Sequence, residues 1–122
     1  RVIDGFMAQT GDVQFGNMKK GWDSGRAGTG GSTEANLPAE FSKLPFDRGV
    51  LGMARSQDPD SANSQFFIMF AEGHFLNQQY TVFGHVLEGM EFVDKIKRGD
   101  QANNGSVTDP DCMLSVRILD EA

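Results

Sequence analysis

A mainly β fold, an antiparallel barrel or sandwich, is what this sequence predicts, and three observations predict it. Short runs of β-branched and aromatic residues recur, as in "GVLGMA", "QFFIMF" and "YTVFGHV". Turn residues punctuate them, with 15 glycines among 122 residues. Only one stretch carries helical spacing. The length suits a single domain spanning residues 1–122.

The chain opens on "RVIDGFMAQTGD", two short apolar segments around Asp4-Gly5. That dipeptide suits a tight hairpin because glycine accepts positive φ without steric cost. Residues 13–49 show neither helical nor strand periodicity and are rich in Gly, Pro, Ser and Asn. A loop of that length is uncommon unless it has work to do, and Trp22, Leu37, Phe41, Leu44 and Phe46 predict that it packs down. "GVLGMA", residues 49–54, reads as a buried strand, followed by the polar turn "RSQDPDSANS". "QFFIMF" is a continuous apolar run of strand length, predicting burial on both faces, and "YTVFGHV" is a further strand. "EGMEFVDKIKRG" places Met90, Val93 and Ile96 three apart with basic residues in the last turn and Gly99 as the stop, which predicts a helix. "CMLSVRIL" alternates Leu114, Val116 and Ile118 with Met113, Ser115 and Arg117, the pattern of a half-buried final strand. The sum is about six short strands and one helix.

Composition excludes several classes. A net charge of -6 disfavours a broad nucleic-acid footprint, and Lys19-Lys20 with Lys95, Lys97 and Arg98 read as solvated surface. No apolar run approaches the ~20 residues of a membrane helix. Cys112 is the only cysteine, so no intrachain disulfide forms and a reducing, cytoplasmic compartment is expected over the periplasm.

The glycine-rich "GRAGTGGST" lacks the Gly-Lys-Ser/Thr ending and strand-to-helix context of a phosphate loop. "DPDSAN" starts like a calcium loop, but Asn63 and Met69 occupy positions that need Gly and Glu. His74, His85 and Cys112 show no metal-ligand or nucleophile spacing, and His85 reads as structural. Asn104-Gly105-Ser106 reads as a turn. No metal or other cofactor is expected.

The remaining signal lies in residues 61–84, which hold five of the ten phenylalanines and the only tyrosine, with Gln65, Asn77, Gln78 and Gln79 among them. Phe6, Met7 and Gln9 of the first hairpin, Gln65, Phe66 and Phe67 of the apolar strand, and Phe75, Leu76 and Tyr80 beyond it form an aromatic-amide constellation. Core packing explains the aromatics. It explains Gln9 and Gln65 poorly, since amides on apolar strands must find partners, and an apolar pocket with polar groups at its rim explains both.

"RVIDGFMAQTGD" resembles the signature Phe-His-Arg-x-Ile-x-Gly-Phe-Met-x-Gln-x-Gly-Asp of cyclophilin-type peptidyl-prolyl cis-trans isomerases, beginning at the arginine. "AGTGG", "GVLGMA", "NSQFFI", "HFLNQQYTVFG" and "VLEGMEFVDKI" resemble later blocks of the same family, of bacterial type, in the same order. The resemblance implies a cyclophilin-like antiparallel β-barrel with a capping helix. It also implies that two strands and a helix precede Arg1 in a complete member. The sequence is therefore expected to belong to a longer parent or to be completed by a separate segment.

The resemblance makes Arg1 the catalytic arginine. It places Phe6, Met7, Phe67, Phe75 and Leu76 in a proline pocket and Gln9 and Gln65 on the substrate. Ala54 and Arg55 fall where backbone groups bind the residues before proline, and Gly28 and Thr29 at the edge of a neighbouring groove. Tyr80 stands where many eukaryotic members have histidine. Phe75 stands where many eukaryotic members have a tryptophan that contacts cyclosporin, so cyclosporin is expected to bind weakly. The activity implied is rotation about X-Pro bonds in peptides and in unfolded or folding protein clients. The alternatives are a non-catalytic proline-binding or chaperone-like module and, further off, a small-ligand barrel.

Overall fold

The computed structural model describes residues 1–119. Five short strands, β1 (Val2–Ile3), β2 (Met7–Thr10), β3 (Val50–Met53), β4 (Phe66–Met69) and β5 (Val82–His85), form one sheet in the order β1-β2-β4-β3-β5. Every pairing is antiparallel. A one-turn helix α1 (Met90–Val93) and 3-10 turns at His74–Leu76 and Gln101–Asn103 complete the regular structure. No helix among the described residues is long and apolar enough to cross a membrane.

The first hairpin forms where Asp4-Gly5 predicts it. Gly5 takes φ 73°, and Phe6 N–H donates to Ile3 O at 3.0 Å. The register sets Met7 opposite Met69 and Gln9 opposite Phe67, so alternate residues of β2 and β4 share a face. Met7, Phe67 and Met69 bury on that face with Phe46 and Leu76. Val2, Ala8 and Phe70 bury in a second cluster, against Val93, Ile96 and Val107.

β3 approaches β4 closely because Gly52 has no side chain. A Cβ there would lie 2.4 Å from Phe67 Cζ and 2.6 Å from Phe46 Cε1. Those two rings stack at 5.7 Å beneath the sheet, and Phe46 is 0% exposed.

Four expectations need correction. Residues 112–119 form no strand: Leu114 and Ile118 are 96% and 93% exposed, because no described strand pairs with this segment. Alternation fits a pleat, but a ladder partner makes the strand. The expected helix over 88–99 reduces to Met90–Val93. Beyond it Lys95 and Ile96 close i→i+3 turns, and Arg98 Nη1 donates to Ile96 O at 2.7 Å in place of a further helical N–H. Val93 and Ile96, half-buried, do pack against the second cluster as their spacing suggests. Arg98 is not simply solvated: it lies 3.9 Å from the Phe70 ring centroid and pairs with Asp4 at 2.9 Å. In β4, Phe67 and Met69 are buried but Phe66 and Ile68 only half so: these two point to the opposite face of the sheet, where Phe66 meets the exposed Phe83 edge-on at 6.0 Å.

The loop over 13–49 packs down only at Phe46; Trp22, Leu37, Phe41 and Leu44 remain exposed. Polar anchors hold it instead. The buried Asp12 carboxylate accepts from the N–H groups of Gln14, Phe15, Gly28 and Gly30 at 2.8–3.0 Å. Burial alone would raise its pKa, but these four donors outweigh that and hold it below the usual carboxylate range. Asn63 binds both Ser32 N–H and Oγ at 2.7 Å and donates to Glu34 O and Asn36 Oδ1.

Candidate active site

A pocket of about 140 Å³ opens on the sheet face that carries Met7 and Phe67. Phe6, Met7, Phe67 and Leu76 supply its apolar wall, and Arg1, Gln9, Ala54, Arg55 and Tyr80 complete it. Met7 and Gln9 point the same way because they are two apart on β2, and Phe67 sits across from Gln9 on β4. Leu76 arrives on the 3-10 turn, with Tyr80 a few residues beyond it. The Tyr80 ring stands edge-on to Phe67, centroids 5.8 Å apart at 87°.

Arg1 is held at the rim. Its backbone extends the hairpin pairing, Gln9 N–H donating to Arg1 O at 2.7 Å. Its Nε donates to Asn104 O at 2.9 Å, and Nη1 reaches Gln9 Oε1 at 3.4 Å. Asn104, at φ 56°, belongs to the turn read from Asn104-Gly105, but nothing in the sequence tied that turn to Arg1.

The glutamines explain each other. Gln9 Nε2 donates to Gln65 Oε1 at 3.0 Å, and Gln65 Nε2 donates to Gly28 O and Gly30 O at 3.0 and 2.9 Å. One polar line thus runs from Arg1 through both amides into the glycine-rich loop. Gln65 reaches the small pocket only through Gln9. It lines a neighbouring groove of about 320 Å³ that also takes in Gly28, Thr29, Ala54 and Arg55, with Gly30, Ser56, Ser61, Asn63 and Ser64, which sequence reasoning missed.

Two predicted roles shift. Phe75 does not line the pocket: it is 72% exposed and leans on Phe6 with centroids 5.5 Å apart. On a 3-10 turn its neighbour Leu76 points inward, which turns Phe75 out. Ala54 N–H already donates to Gln65 O at 3.0 Å, so of its backbone groups only the carbonyl is left to meet a ligand. The Arg55 side chain, not considered from sequence, donates to Gln79 O from Nε and Nη2 at 3.0 and 2.7 Å.

Outside the pocket, Asp47, Glu72 and His74 meet at the surface, which their sequence spacing conceals. His74 Nε2 lies 2.7 Å from Asp47 Oδ1, and that hydrogen bond raises the imidazole pKa.

An apolar bowl with a fixed guanidinium and the Gln9 amide at its rim can seat a ring and direct N–H groups at the adjoining peptide bond. Neither histidine nor Cys112 lines it. The family model for cyclophilin-type peptidyl-prolyl cis-trans isomerase/CLD matches residues 1–118. The chain belongs to the cyclophilin family. This cyclophilin is similar to a probable peptidyl-prolyl cis-trans isomerase of Brucella abortus, 66% identical over 118 residues that make up 97% of this chain and 60% of that protein. It is also similar to peptidyl-prolyl cis-trans isomerase B of Escherichia coli, 40% identical over 106 residues, 80% of this chain and 58% of the relative. In fold it is similar to a cyclophilin from Hirschia baltica, with a TM-score of 0.65 and 23% identity over 80% of this chain and 51% of that one. The chain thus spans about 60% of the length of the Brucella relative.

Proposed function

We propose that this chain carries the peptide-binding and catalytic face of a peptidyl-prolyl cis-trans isomerase acting on X-Pro bonds of peptides and of unfolded or folding proteins. The observation that carries the reading is the Arg1 guanidinium, held by Asn104 O and Gln9 Oε1 at the rim of the apolar pocket.

The reaction breaks no bond. Partial double-bond character sets a barrier of roughly 18–20 kcal/mol, and uncatalysed X-Pro exchange takes about tens to hundreds of seconds. In the twisted state the prolyl nitrogen becomes pyramidal and regains its lone pair. A cation aimed at it favours that state over both planar ones, and a single preorganised donor of this kind is worth about 3 kcal/mol. Arginine suits the task because its fork donates in a fixed plane and keeps its charge. Phe67, Met7, Leu76 and Phe6 hold the proline ring by apolar burial, while Gln9 and the Ala54 carbonyl steer the residue before it. One side of the bond is fixed and the other turns.

The exposed Phe75 supports weak cyclosporin binding, since a phenyl ring there offers no indole N–H and leans on Phe6 instead. A lone exposed Cys112 is compatible with action in the cytoplasm. Exchange NMR on a short X-Pro peptide tests the reading. Faster cis/trans exchange at catalytic protein concentration is the expected result. Line broadening with unchanged exchange would establish a proline-binding module instead.

A further inference from the structure

The turn that carries Tyr80 is conformationally costly. Gln78 sits at φ 59°, a left-handed conformation that costs a residue with a Cβ roughly 1–2 kcal/mol. Such a conformation persists only where its surroundings over-determine it. Asn77 accepts from Phe46 N–H through Oδ1 at 2.8 Å and fixes the near end of the turn. The far end is fixed by Arg55. Its Nε and Nη2 close on Gln79 O at 3.0 and 2.7 Å, while Nη1 donates to Ser56 O at 2.9 Å and Gln57 O at 3.3 Å. The same guanidinium lies 4.7 Å from the Tyr80 ring centroid, on a ring whose edge relation to Phe67 closes one side of the small pocket.

We propose that Arg55 is a positioning residue for the isomerase: its guanidinium clamps the 77–80 turn from one side and backs the Tyr80 ring, and so sets the width of the proline pocket. The inference rests on the isomerase reading for its catalytic consequence. Its structural content, that Tyr80 is placed by Arg55, is readable without turnover. The side chain is engaged with the chain itself through four N–H···O contacts, so its part is to shape the pocket. Lysine cannot replace it, because a single ammonium cannot grip Gln79 O through two N–H groups while a third nitrogen reaches Ser56 O and Gln57 O.

The test uses Arg55→Ala, Arg55→Lys and Tyr80→Ala singly, and Arg55→Ala combined with Tyr80→Ala, in the 122-residue chain. Tyr80 is the only tyrosine, so its ring NMR signals are unambiguous. Both Arg55 substitutions should shift those signals and raise KM for an X-Pro peptide about tenfold with kcat changed less than about threefold. In the Tyr80→Ala background, Arg55→Ala should add little, and methylguanidinium should partly restore the Arg55→Ala protein. Unchanged Tyr80 signals, or an Arg55→Ala effect equally large without Tyr80, would overturn the proposal. Should Arg55→Ala not fold, Arg55→Lys, alone and combined with Tyr80→Ala, gives the same two readings. Should the parent chain bind peptide without accelerating exchange, the isomerase reading fails, and peptide Kd takes the place of KM in the same comparison.

Discussion

Gln9 Nε2 donates to Gln65 Oε1 across 3.0 Å, and through that bond the first hairpin and the glycine-rich loop share one polar line. Gln65 Nε2 fixes the far end on Gly28 O and Gly30 O, and Gln9 Oε1 meets Arg1 Nη1 at the near end. The two amides are therefore partnered on the protein, and their order in the line fixes which atom Gln9 presents to the pocket and Gln65 to the neighbouring groove.

Gln65→Leu should cut this line in the middle. Gln9 loses its acceptor and the two glycine carbonyls lose their donor, so a cost of about 1–3 kcal/mol in stability is expected by urea denaturation. Peptide kcat/KM should fall about tenfold because Gln9 is no longer held toward Arg1. Gln65→Glu should cost more, since a carboxylate would face both carbonyls.

Gly52→Ala should disturb the pocket from beneath. The added methyl would meet Phe67 and Phe46 at 2.4 and 2.6 Å, so one ring must move. Overpacking of this kind costs typically about 1–3 kcal/mol. The expected signature is a lower urea midpoint together with weaker peptide binding, because Phe67 is both core and pocket wall.

Asp12 predicts an acid limb. Its pKa is lowered in the folded state despite burial, because four backbone donors favour the carboxylate. The stability it contributes is present above the unfolded carboxylate value and is lost as pH falls through the lower folded value. Thermal melts from pH 6 downward should show this loss. Asp12→Asn should be less stable at neutral pH and lose less on acidification.

His74 predicts the opposite slope at higher pH. The hydrogen bond that His74 donates to the Asp47 carboxylate raises its folded pKa, with Glu72 adding to it. Its contribution is complete below the unfolded histidine value near 6.5 and declines as pH rises through the folded value. Urea midpoints across that window should fall with pH for the parent chain and stay level for His74→Ala.

The sequence carried the elements whose signals are local. Asp4-Gly5 announced a hairpin, and the runs around Leu51, Phe67 and Val82 announced strands. Met90, Val93 and Ile96 marked a helix whose Val93 and Ile96 pack on the second cluster, but not its length, because Arg98 captured the Ile96 carbonyl from outside the helix. Residues 112–119 had strand alternation and no partner. At the site, Arg1, Met7, Gln9, Phe67 and Leu76 came together as expected, while Phe75 turned away because the 3-10 turn presents Leu76. The hold of Asn104 on Arg1 and of Arg55 on Gln79 joins residues 103 and 24 apart, and no local pattern announces such contacts.

Arg1 is the residue on which the account turns, and single-residue replacement in exchange NMR tests it most directly. With an X-Pro peptide at saturating protein, Arg1→Ala should lower the catalysed exchange rate about a hundredfold while the peptide Kd changes less than about threefold. Arg1→Lys should fall between. An Arg1→Ala protein that binds and exchanges the peptide as fast as the parent would contradict the account.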